Sequence, residues 1–413
     1  MNPKHYTVDQ HTISPNQIDS DAVYVIEKLR EAGFKAYLVG GGVRDLLLSA
    51  CPKDFDVSTS AKPEEIRALF RNAILIGRRF RLAHIRFGKK IIEVATFRTG
   101  ETGSPELIVR DNEWGTEEED VLRRDFTING LFYDPKENLV IDYVDGYPDL
   151  QKKILRTIGQ PEIRFNQDPV RMIRLIKFCA RFQFEIDPPT FEALLSCRKE
   201  ILKSSSARLL EELLRMLESG AAKPFIHLLQ QYGFLAALLP ELAYFLESRG
   251  DSYTLHLLEE VDAQIKEGLP TPDRSLLLSL LIFPLLDEYL KEKQKNEERS
   301  MHLGQIETTA FHVIDCVFSS FFALPRRMRG IMAFLLTSQY RFVPLQGPLP
   351  RHPRISKDPL TPLALDLFEL RARCQEELVP AFELWTQIPT SSSAEPVESI
   401  ESRPRRRRRR SRG

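Results

Sequence analysis

The chain has 413 residues and no net formal charge at pH 7, with 42% apolar and 28% charged residues, so it can bury a large core in two or three domains. No apolar run reaches the roughly eighteen residues of a membrane span, and the first fourteen residues lack the apolar block of a signal peptide. The five cysteines show no CxxC spacing, which argues against a disulfide scaffold or a zinc site and favours a cytoplasmic protein.

The first third of the chain alternates short strand patterns with helical ones. An amphipathic helix is predicted over residues 16–33, and another begins at Pro63, since proline suits the first helical turn. The predicted strands are AYLV, FDVST, AILI, AHIRF, IIEVATF and Leu139–Asp142. Residues 99–113 are predicted to be a mobile loop, and GYPDL after the last strand a turn. These elements predict a small mixed α/β sheet.

From residue 168 to about residue 344 the pattern is helical. Helices are predicted over 169–181, 189–195, 206–218, 222–232, 251–266, 274–291 and 305–322, and Pro284 is expected to kink or split the sixth. A proline-rich connector over 342–362 and one helix over 363–386 follow. The last eleven residues contain eight arginines and no acid, which leaves 0 − 8 = −8 for the rest of the chain. Such a tail is expected to be disordered, and it is either a solvated extension or a mobile grip for RNA.

Asp54 and Asp56 form the most informative pair in the sequence. Side chains at i and i+2 of a strand share a face, so Asp-Phe-Asp directs two carboxylates to one point and turns Phe55 into the core. Two carboxylates suit Mg²⁺, which completes its shell with water and substrate phosphate. Gly40, Gly41 and Gly42 lie just before a predicted helix, where free backbone N–H groups can contact a phosphate. The alternatives are a solvated strand end and a flexible turn.

Three segments carry a family resemblance: residues 37–59, EEEDVLRRDFTINGLFYDP (117–135) and DPVRMIRLIKFCARFQFEI (168–186). They resemble, in the same order, motifs of the nucleotidyltransferases that include bacterial poly(A) polymerases and CCA-adding tRNA enzymes. The resemblance implies a polymerase β-like head with a small mixed sheet over 1–150 and an all-α remainder. That remainder would be a neck for base selection and RNA binding (151–240), a body and tail (241–387) and a disordered basic C-terminus (388–413).

The resemblance also assigns roles around the two aspartates. It implies a two-metal Mg²⁺ site in which an RNA 3′-hydroxyl attacks the α-phosphate of ATP and pyrophosphate leaves. Asp125 is favoured as the third catalytic carboxylate, with a salt bridge to a neighbouring arginine as the alternative, and Glu93 remains a rival. Arg44 is expected on the triphosphate and Asp45 in a structural role, unless Arg44 is a solvated first-turn residue. Arg124 is expected to serve the ribose or a phosphate.

Base choice is expected to fall to the helix DPVRMIR. In related CCA-adding enzymes an acidic and an arginine side chain of this motif pair with the base edge, and Asp168 and Arg171 match those positions. Arg174 lies one turn further on the same face. The alternative for Asp168 is a helix N-cap. The chain departs from the family in having Gln167 where glutamate is frequent and Lys177 where arginine is frequent.

The segment ILIGRRFRLAHIRFG (74–88) resembles the poly(A) polymerase version of this family, as does the arginine tail. Its basic and aromatic residues are either a grip for a nucleic acid strand or an exposed strand edge. The predicted function is therefore a template-independent poly(A) polymerase that adds AMP to RNA 3′ ends, of mRNA and other transcripts. It is expected to be monomeric, with proteins of RNA decay as further partners. The rivals are a CCA-adding tRNA nucleotidyltransferase and a non-catalytic RNA-binding protein.

Overall fold

The fold combines one large sheet in the N-terminal third with a helical remainder. The computed structural model describes residues 2–77, 82–100, 107, 113–249, 253–296, 301–349 and 358–387. The arginines at 78, 79 and 81, most of the predicted loop over 99–113 and the basic tail lie outside these residues. Within the described residues no helix is long and apolar enough to cross a membrane.

The sheet has eight strands in the order β1-β8-β7-β2-β3-β6-β5-β4. Strand β3 pairs in parallel with β6, and the other neighbours are antiparallel. All the predicted strands are present, and β1 and β7 are additional. The strands are β1 (Lys4–Tyr6), β2 (Ala36–Val39), β3 (Asp56–Thr59), β4 (Ala73–Ile76), β5 (Leu82–Phe87), β6 (Lys90–Thr96), β7 (Leu131–Asp134) and β8 (Leu139–Asp142).

Five helices accompany this sheet: α1 (Ser20–Glu31), α2 (Gly41–Leu47), α3 (Pro63–Leu69), α4 (Glu117–Leu122) and α5 (Gly146–Lys152). The Asp19 side chain accepts a hydrogen bond from the Asp21 N–H and so caps α1, which begins four residues later than the helix predicted over 16–33. One face of the sheet packs with α1 and α3 in the main core. On the other face a smaller aromatic cluster covers only the part near β2 and β7. The remainder of that face is left for the site described below.

Thirteen helices follow within the described residues, together with a two-stranded parallel pair of β9 (Ile154–Leu155) and β10 (Glu185–Ile186). They are α6 (Pro161–Gln167), α7 (Val170–Phe182), α8 (Pro188–Ser196), α9 (Ser206–Leu217), α10 (Ala222–Gln231), α11 (Phe234–Leu238), α12 (Pro240–Arg249), α13 (Tyr253–Lys266), α14 (Arg274–Asn296), α15 (Leu303–Phe318), α16 (Arg326–Phe342), α17 (Thr361–Cys374) and α18 (Val379–Thr386). The all-α prediction for this part of the chain is confirmed.

Four local predictions were wrong or incomplete. GYPDL forms the first turns of α5 rather than a turn, because Asp142 accepts hydrogen bonds from the backbone N–H groups of Gly146 and Tyr147. Pro284 does not split α14. The single helix predicted over 363–386 is interrupted by a short 3-10 turn over 376–378 that separates α17 from α18. Helices α4, α6, α11, α12 and α16 were not predicted.

Candidate active site

A cleft of about 820 Å³ lies between the sheet and helices α7, α9 and α14. The rival carboxylate Glu93 is not part of its lining, but ten other residues predicted for the site are: Gly40, Gly41, Arg44, Asp54, Asp56, Arg124, Asp125, Asp168, Arg171 and Arg174. Ten basic and seven acidic side chains contribute to its wall, so the cleft has an excess of positive charge. A polar, cationic cleft of this kind suits a phosphorylated ligand.

Three carboxylates meet at the start of β3. Asp54 lies in the loop before the strand and is exposed, Asp56 is the first residue of the strand and is half-buried, and Phe55 between them packs against the core as predicted. Glu93 on β6 is the direct register partner of Asp56. Burial, followed by the charges of Glu93 and Asp54, raises the pKa of Asp56 to about 6, and Arg124 opposes this rise.

This concentration of negative charge fits a divalent cation. Mg²⁺ binds through one or two carboxylates and keeps several waters, and Asp54 and Asp56 can supply that number. The charges of Glu93 and Asp54 raise the pKa of Asp56, and that of Arg124 lowers it. No group of three or more His, Cys, Asp or Glu side chains with metal-ligand geometry is found among the described residues. Glu93 is turned partly away, since its carboxylate lies 3.4 Å from His84 Nε2.

The glycine turn packs directly against the aspartate loop. Gly40 has φ +67° and precedes α2, a conformation that few side chains adopt. A Cβ on Gly42 would lie 3.2 Å from the carbonyl oxygen of Asp54. A Cβ on Gly40 would lie 3.4 Å from the guanidinium of Arg124. The absence of side chains therefore brings the turn, Asp54 and Arg124 to the same point of the cleft.

Arg44 is buried beneath the cleft instead of extending into solvent, so its alternative reading as a solvated residue is wrong. Its guanidinium donates to Asp45 at 2.7 and 2.9 Å and to the Asn129 side chain at 2.6 Å. It also lies over the rings of Phe178 and Phe182, at 5.0 and 4.7 Å from the ring centroids. Burial lowers its pKa, opposed mainly by Asp45. The structural role predicted for Asp45 agrees with these contacts, while the triphosphate role of Arg44 remains a prediction.

Asp125 is likewise buried, and its oxygens are already engaged. One oxygen accepts from the Phe126 N–H at 2.8 Å and from Asn129 at 3.0 Å, and the other accepts from Arg174 at 2.7 Å. Burial opposes ionisation of Asp125, but Arg174 and these hydrogen bonds together hold its pKa well below the usual range. The alternative predicted a salt bridge between Asp125 and an adjacent arginine. Asp125 does form a salt bridge, but its partner is Arg174 on α7. Its role as third catalytic carboxylate is still a prediction.

Arg124 connects the glycine turn to the aspartates. Its guanidinium donates to Asp120 at 2.9 Å and to Ser58 at 3.2 Å, and lies 5.2 Å from the Phe132 ring centroid. Asp120 is fully buried and also accepts from Arg123. Burial opposes ionisation of Asp120, but the two arginines lower its pKa. Asp120 therefore fixes the arginine that partly offsets the charge of Asp56, a role that the sequence motif did not reveal.

Asp168 forms a bidentate ion pair with Arg208 on α9, at 3.0 and 2.8 Å. It does not cap α7, whose N-cap is Pro169, so the capping alternative is wrong. Arg171 is buried, and its guanidinium donates to the backbone carbonyl groups of Arg164 and Arg123, at 3.3 and 3.0 Å. Both residues line the cleft as predicted. Their predicted contact with a base remains a prediction.

Helix α9 contributes the part of the wall that the sequence did not predict. Glu212 pairs with both Arg174 and Lys177 of α7, and burial lowers the pKa of Lys177. Arg274 of α14 forms ion pairs with Glu211 at 2.9 Å and Glu218 at 2.6 Å. The charged residues of an amphipathic helix ordinarily face water, so nothing in the local pattern indicated that this face closes a cleft.

Comparison with families of known proteins matches two regions of the chain. The family model described as "Poly A polymerase head domain" matches residues 36–156. The model described as "Probable RNA and SrmB- binding site of polymerase A" matches residues 183–246.

Two curated relatives are similar to nearly the whole chain. Poly(A) polymerase I of Salmonella typhimurium is 36% identical over an aligned length of 431 residues, and the alignment covers 99% of this chain and 92% of that protein. Poly(A) polymerase I of Escherichia coli O157:H7 is 37% identical over an aligned length of 426 residues, and the alignment covers 98% of this chain and 90% of that protein. The CCA-adding enzyme of Lactobacillus johnsonii is 36% identical, but over only 51% of this chain and 53% of its own length.

Solved structures of CCA-adding enzymes share the fold. The Bacillus stearothermophilus enzyme in complex with CTP matches with a TM-score of 0.62 and 25% identity, over 90% of this chain and 82% of that chain. The Thermotoga maritima enzyme complexed with tRNA matches with a TM-score of 0.57 and 19% identity, over 97% and 92%. The second likeness concerns the fold alone.

Proposed function

Since the chain belongs to the bacterial poly(A) polymerase family, and is therefore a nucleotidyltransferase, we propose that it adds AMP from ATP to RNA 3′ ends and releases pyrophosphate. The observation that carries this proposal is the carboxylate pair Asp54 and Asp56 at the mouth of a cationic cleft, in a chain similar to poly(A) polymerases over 98–99% of its length. The proposed reaction needs no template, because protein side chains would select the base.

Asp54 and Asp56 would hold Mg²⁺, with Glu93 beside them as a further acidic neighbour. When bound, the metal would lower the pKa of the attacking 3′-hydroxyl and stabilise charge on the phosphate oxygens. The protein itself positions the reactants: Arg124 lies between the glycine turn and Asp56, where it can donate to a phosphate. Lys53, exposed beside Asp54, makes no ion pair with any described residue and can do the same. Such preorganised donors stabilise charge that develops during transfer.

Base selection would fall to Asp168 and Arg171, with Arg174 as support. An aspartate that accepts from the adenine amino group and an arginine that donates to a ring nitrogen together distinguish adenine from guanine and uracil, whereas cytosine presents the same amino donor beside a ring-nitrogen acceptor. In the described structure Arg208 occupies both oxygens of Asp168, so adenine has to share or replace that partner. Arg171 is held by two backbone carbonyl groups, which fixes the direction of its guanidinium.

The same assignment gives functions to the rest of the chain. We infer that residues 1–150 form the catalytic head, residues 151–240 a neck for base selection and RNA binding, and residues 241–387 a body and tail. Residues 388–413 would be a basic extension that holds RNA through its phosphates. We propose that the protein acts in the cytoplasm as a monomer. Its proposed substrates are mRNA and other transcripts.

A CCA-adding activity is the second candidate, favoured by the CCA-adding relatives that match about half of the chain and by the solved structures with this fold. The test is primer extension with Mg²⁺ and each nucleoside triphosphate, alone and mixed, on an unstructured RNA and on a tRNA that lacks its 3′ end. Long ladders with ATP alone on either RNA support poly(A) polymerase. Addition of two CMP and one AMP to the tRNA alone supports the CCA-adding class. Binding of RNA without any incorporation would indicate a non-catalytic protein.

A further inference from the structure

One face of strands β4 to β6 is open to solvent beside the carboxylates. Ile74 and Ile76 on β4 and Ile91 on β6 are 42%, 40% and 44% exposed, although isoleucine is among the residues most often buried. Their neighbours along each strand, such as Ala73 on β4 and Ile92 on β6, belong to the main core on the opposite side of the sheet. This strict alternation means that the exposed isoleucines share one face, which we call the β4–β6 face.

The β4–β6 face is continuous with the proposed catalytic site. Cross-strand partners point to the same side of a sheet, and a row of partners connects Asp56 to Glu93, Glu93 to His84 and His84 to Ile74. The row crosses three strand spacings, which is about 14 Å at roughly 4.8 Å per strand. A chain that begins at Asp56 and follows this row therefore passes over His84 and reaches the sheet edge at β4.

The charge on this face favours a polyanion. Arg86 is the register partner of Ile91, is exposed, and forms no ion pair with any residue for which the structure gives a position. Lys89 is exposed at the turn between β5 and β6. Glu93 is the only acid in β4, β5 and β6, and it lies 3.4 Å from His84. Cations beside apolar side chains can hold a nucleic acid strand through its phosphates and the faces of its bases.

The geometry of nucleotidyl transfer decides which part of the reactants lies here. The attacking oxygen and the leaving pyrophosphate are roughly in line on opposite sides of the α-phosphate. Strand β3, which carries Asp56, lies between β2, which leads into the glycine turn, and β6. With the triphosphate on the side of the glycine turn and Arg124, the attacking 3′-hydroxyl approaches from the side of β6.

We propose that the β4–β6 face binds the last nucleotides of the RNA as a single strand, with the bases on Ile74, Ile76 and Ile91 and a phosphate on Arg86. This inference rests on the proposed function. At the 3.4 Å spacing of a stacked strand, the 14 Å row spans about four nucleotides. Apolar contacts make no hydrogen bonds to base edges, so this grip tolerates any sequence. It therefore suits an enzyme that begins on varied 3′ ends and then continues on its own product.

The test compares two variants with two controls of matched chemistry. The variants are the double substitution Ile74→Thr and Ile76→Thr, which keeps β-branched side chains, and Arg86→Gln. The controls are Leu269→Thr, at a 44% exposed position after α13, and Lys136→Gln, at the exposed turn between β7 and β8. Binding of a fluorescent unstructured 12-nucleotide RNA is measured by anisotropy without ATP. Primer extension is measured with the same RNA and with a dinucleotide.

We expect the double variant to weaken binding of the 12-nucleotide RNA by about tenfold and to raise its KM similarly. We expect the KM for ATP and kcat at saturating RNA to stay within twofold of the values for the unsubstituted protein. The KM for the dinucleotide should also stay within twofold, because a dinucleotide does not reach β4. Arg86→Gln also weakens RNA binding, and the difference from the unsubstituted protein becomes smaller as the salt concentration rises, because the substitution removes a phosphate contact. Both controls behave as the unsubstituted protein does.

RNA affinity equal to that of the controls in both variants would overturn the proposal. A change in molecular mass by light scattering with unchanged RNA affinity would also overturn it, and would assign this face to a protein contact through the β4 edge. Failure of the proposed function gives a different result, namely no AMP incorporation by the unsubstituted protein. The anisotropy measurement still tests the face in that case.

Discussion

Substitution of Asp56 by asparagine is expected to abolish activity and at the same time to stabilise the metal-free protein. The folded state raises the pKa of this carboxyl from its ordinary value of 3.8 to about 6, through burial and the charges of Glu93 and Asp54. A rise of this size corresponds to about 3 kcal/mol, at 1.36 kcal/mol per pKa unit. Since Asp56 is partly accessible to solvent, screening reduces the effect, and we expect about 1 to 2 kcal/mol.

The sign follows from proton linkage. Because the folded pKa is raised, the folded protein binds more protons than the unfolded chain between about pH 4 and pH 6, and the ionised carboxylate costs stability above that window. Asparagine imitates the protonated group, so its advantage is full at pH 7.5 and falls to roughly half at pH 5. Thermal unfolding in EDTA should therefore show a Tm increase of about 1 to 2 °C at pH 7.5 and a smaller one at pH 5.

Added Mg²⁺ supplies the complementary measurement. A ligand that binds only the folded state raises the Tm, so Mg²⁺ should stabilise the unsubstituted protein and have little effect on Asp56→Asn. The exposed Asp9, converted to asparagine, is the control, and it should leave both the Tm and the Mg²⁺ response unchanged. A Tm for Asp56→Asn equal to or below that of the unsubstituted protein at pH 7.5 would refute the reasoning.

Three further outcomes are expected. Asp125→Asn leaves half-buried Arg174 with Glu212 alone and should cost about 1 to 3 kcal/mol of stability above pH 4, measured by urea unfolding; a loss below 1 kcal/mol would contradict this. Arg208→Gln removes the partner that orients Asp168 and should lower the ratio of kcat/KM for ATP to that for GTP by about tenfold without changing the Tm; an unchanged ratio would exclude Arg208 from base choice. Deletion of residues 403–413 should weaken RNA binding at moderate salt and spare turnover at saturating RNA; equal affinity across a salt series would speak against an RNA grip.

The sequence predicted the sheet strands and the lining of the cleft well because both depend on local patterns. Residues 36–39 and 56–59 are short apolar or β-branched runs bounded by glycine and polar residues, and each forms a strand, although β3 begins at Asp56 and leaves Asp54 in the preceding loop. The helices of the C-terminal part were likewise predicted from periodicity, except for α6, α11, α12 and α16. Helices α6 and α11 have only seven and five residues, too few for a periodic pattern to stand out.

The partners of the site residues could not be predicted, because they come from distant parts of the chain. Asp125 and Arg174 are 49 residues apart, and Asp168 and Arg208 are 40 apart. Local reasoning paired Asp125 with its immediate neighbours, whereas the fold turned those arginines toward Asp120. The resemblance to a family indicated which residues meet in the cleft, but it did not indicate which of them are already neutralised there.

Helix α9 has a consequence for how the parts of the protein influence one another. Its charged side holds Asp168 through Arg208, α7 through Glu212 and α14 through Arg274. These separate ion pairs all depend on the position of α9, so a shift of that helix affects them together. A small rotation of α9 would therefore move Arg208 and change the orientation of the Asp168 carboxylate that is proposed to bind adenine. RNA that contacts α9 would in this way influence the binding of the incoming nucleotide.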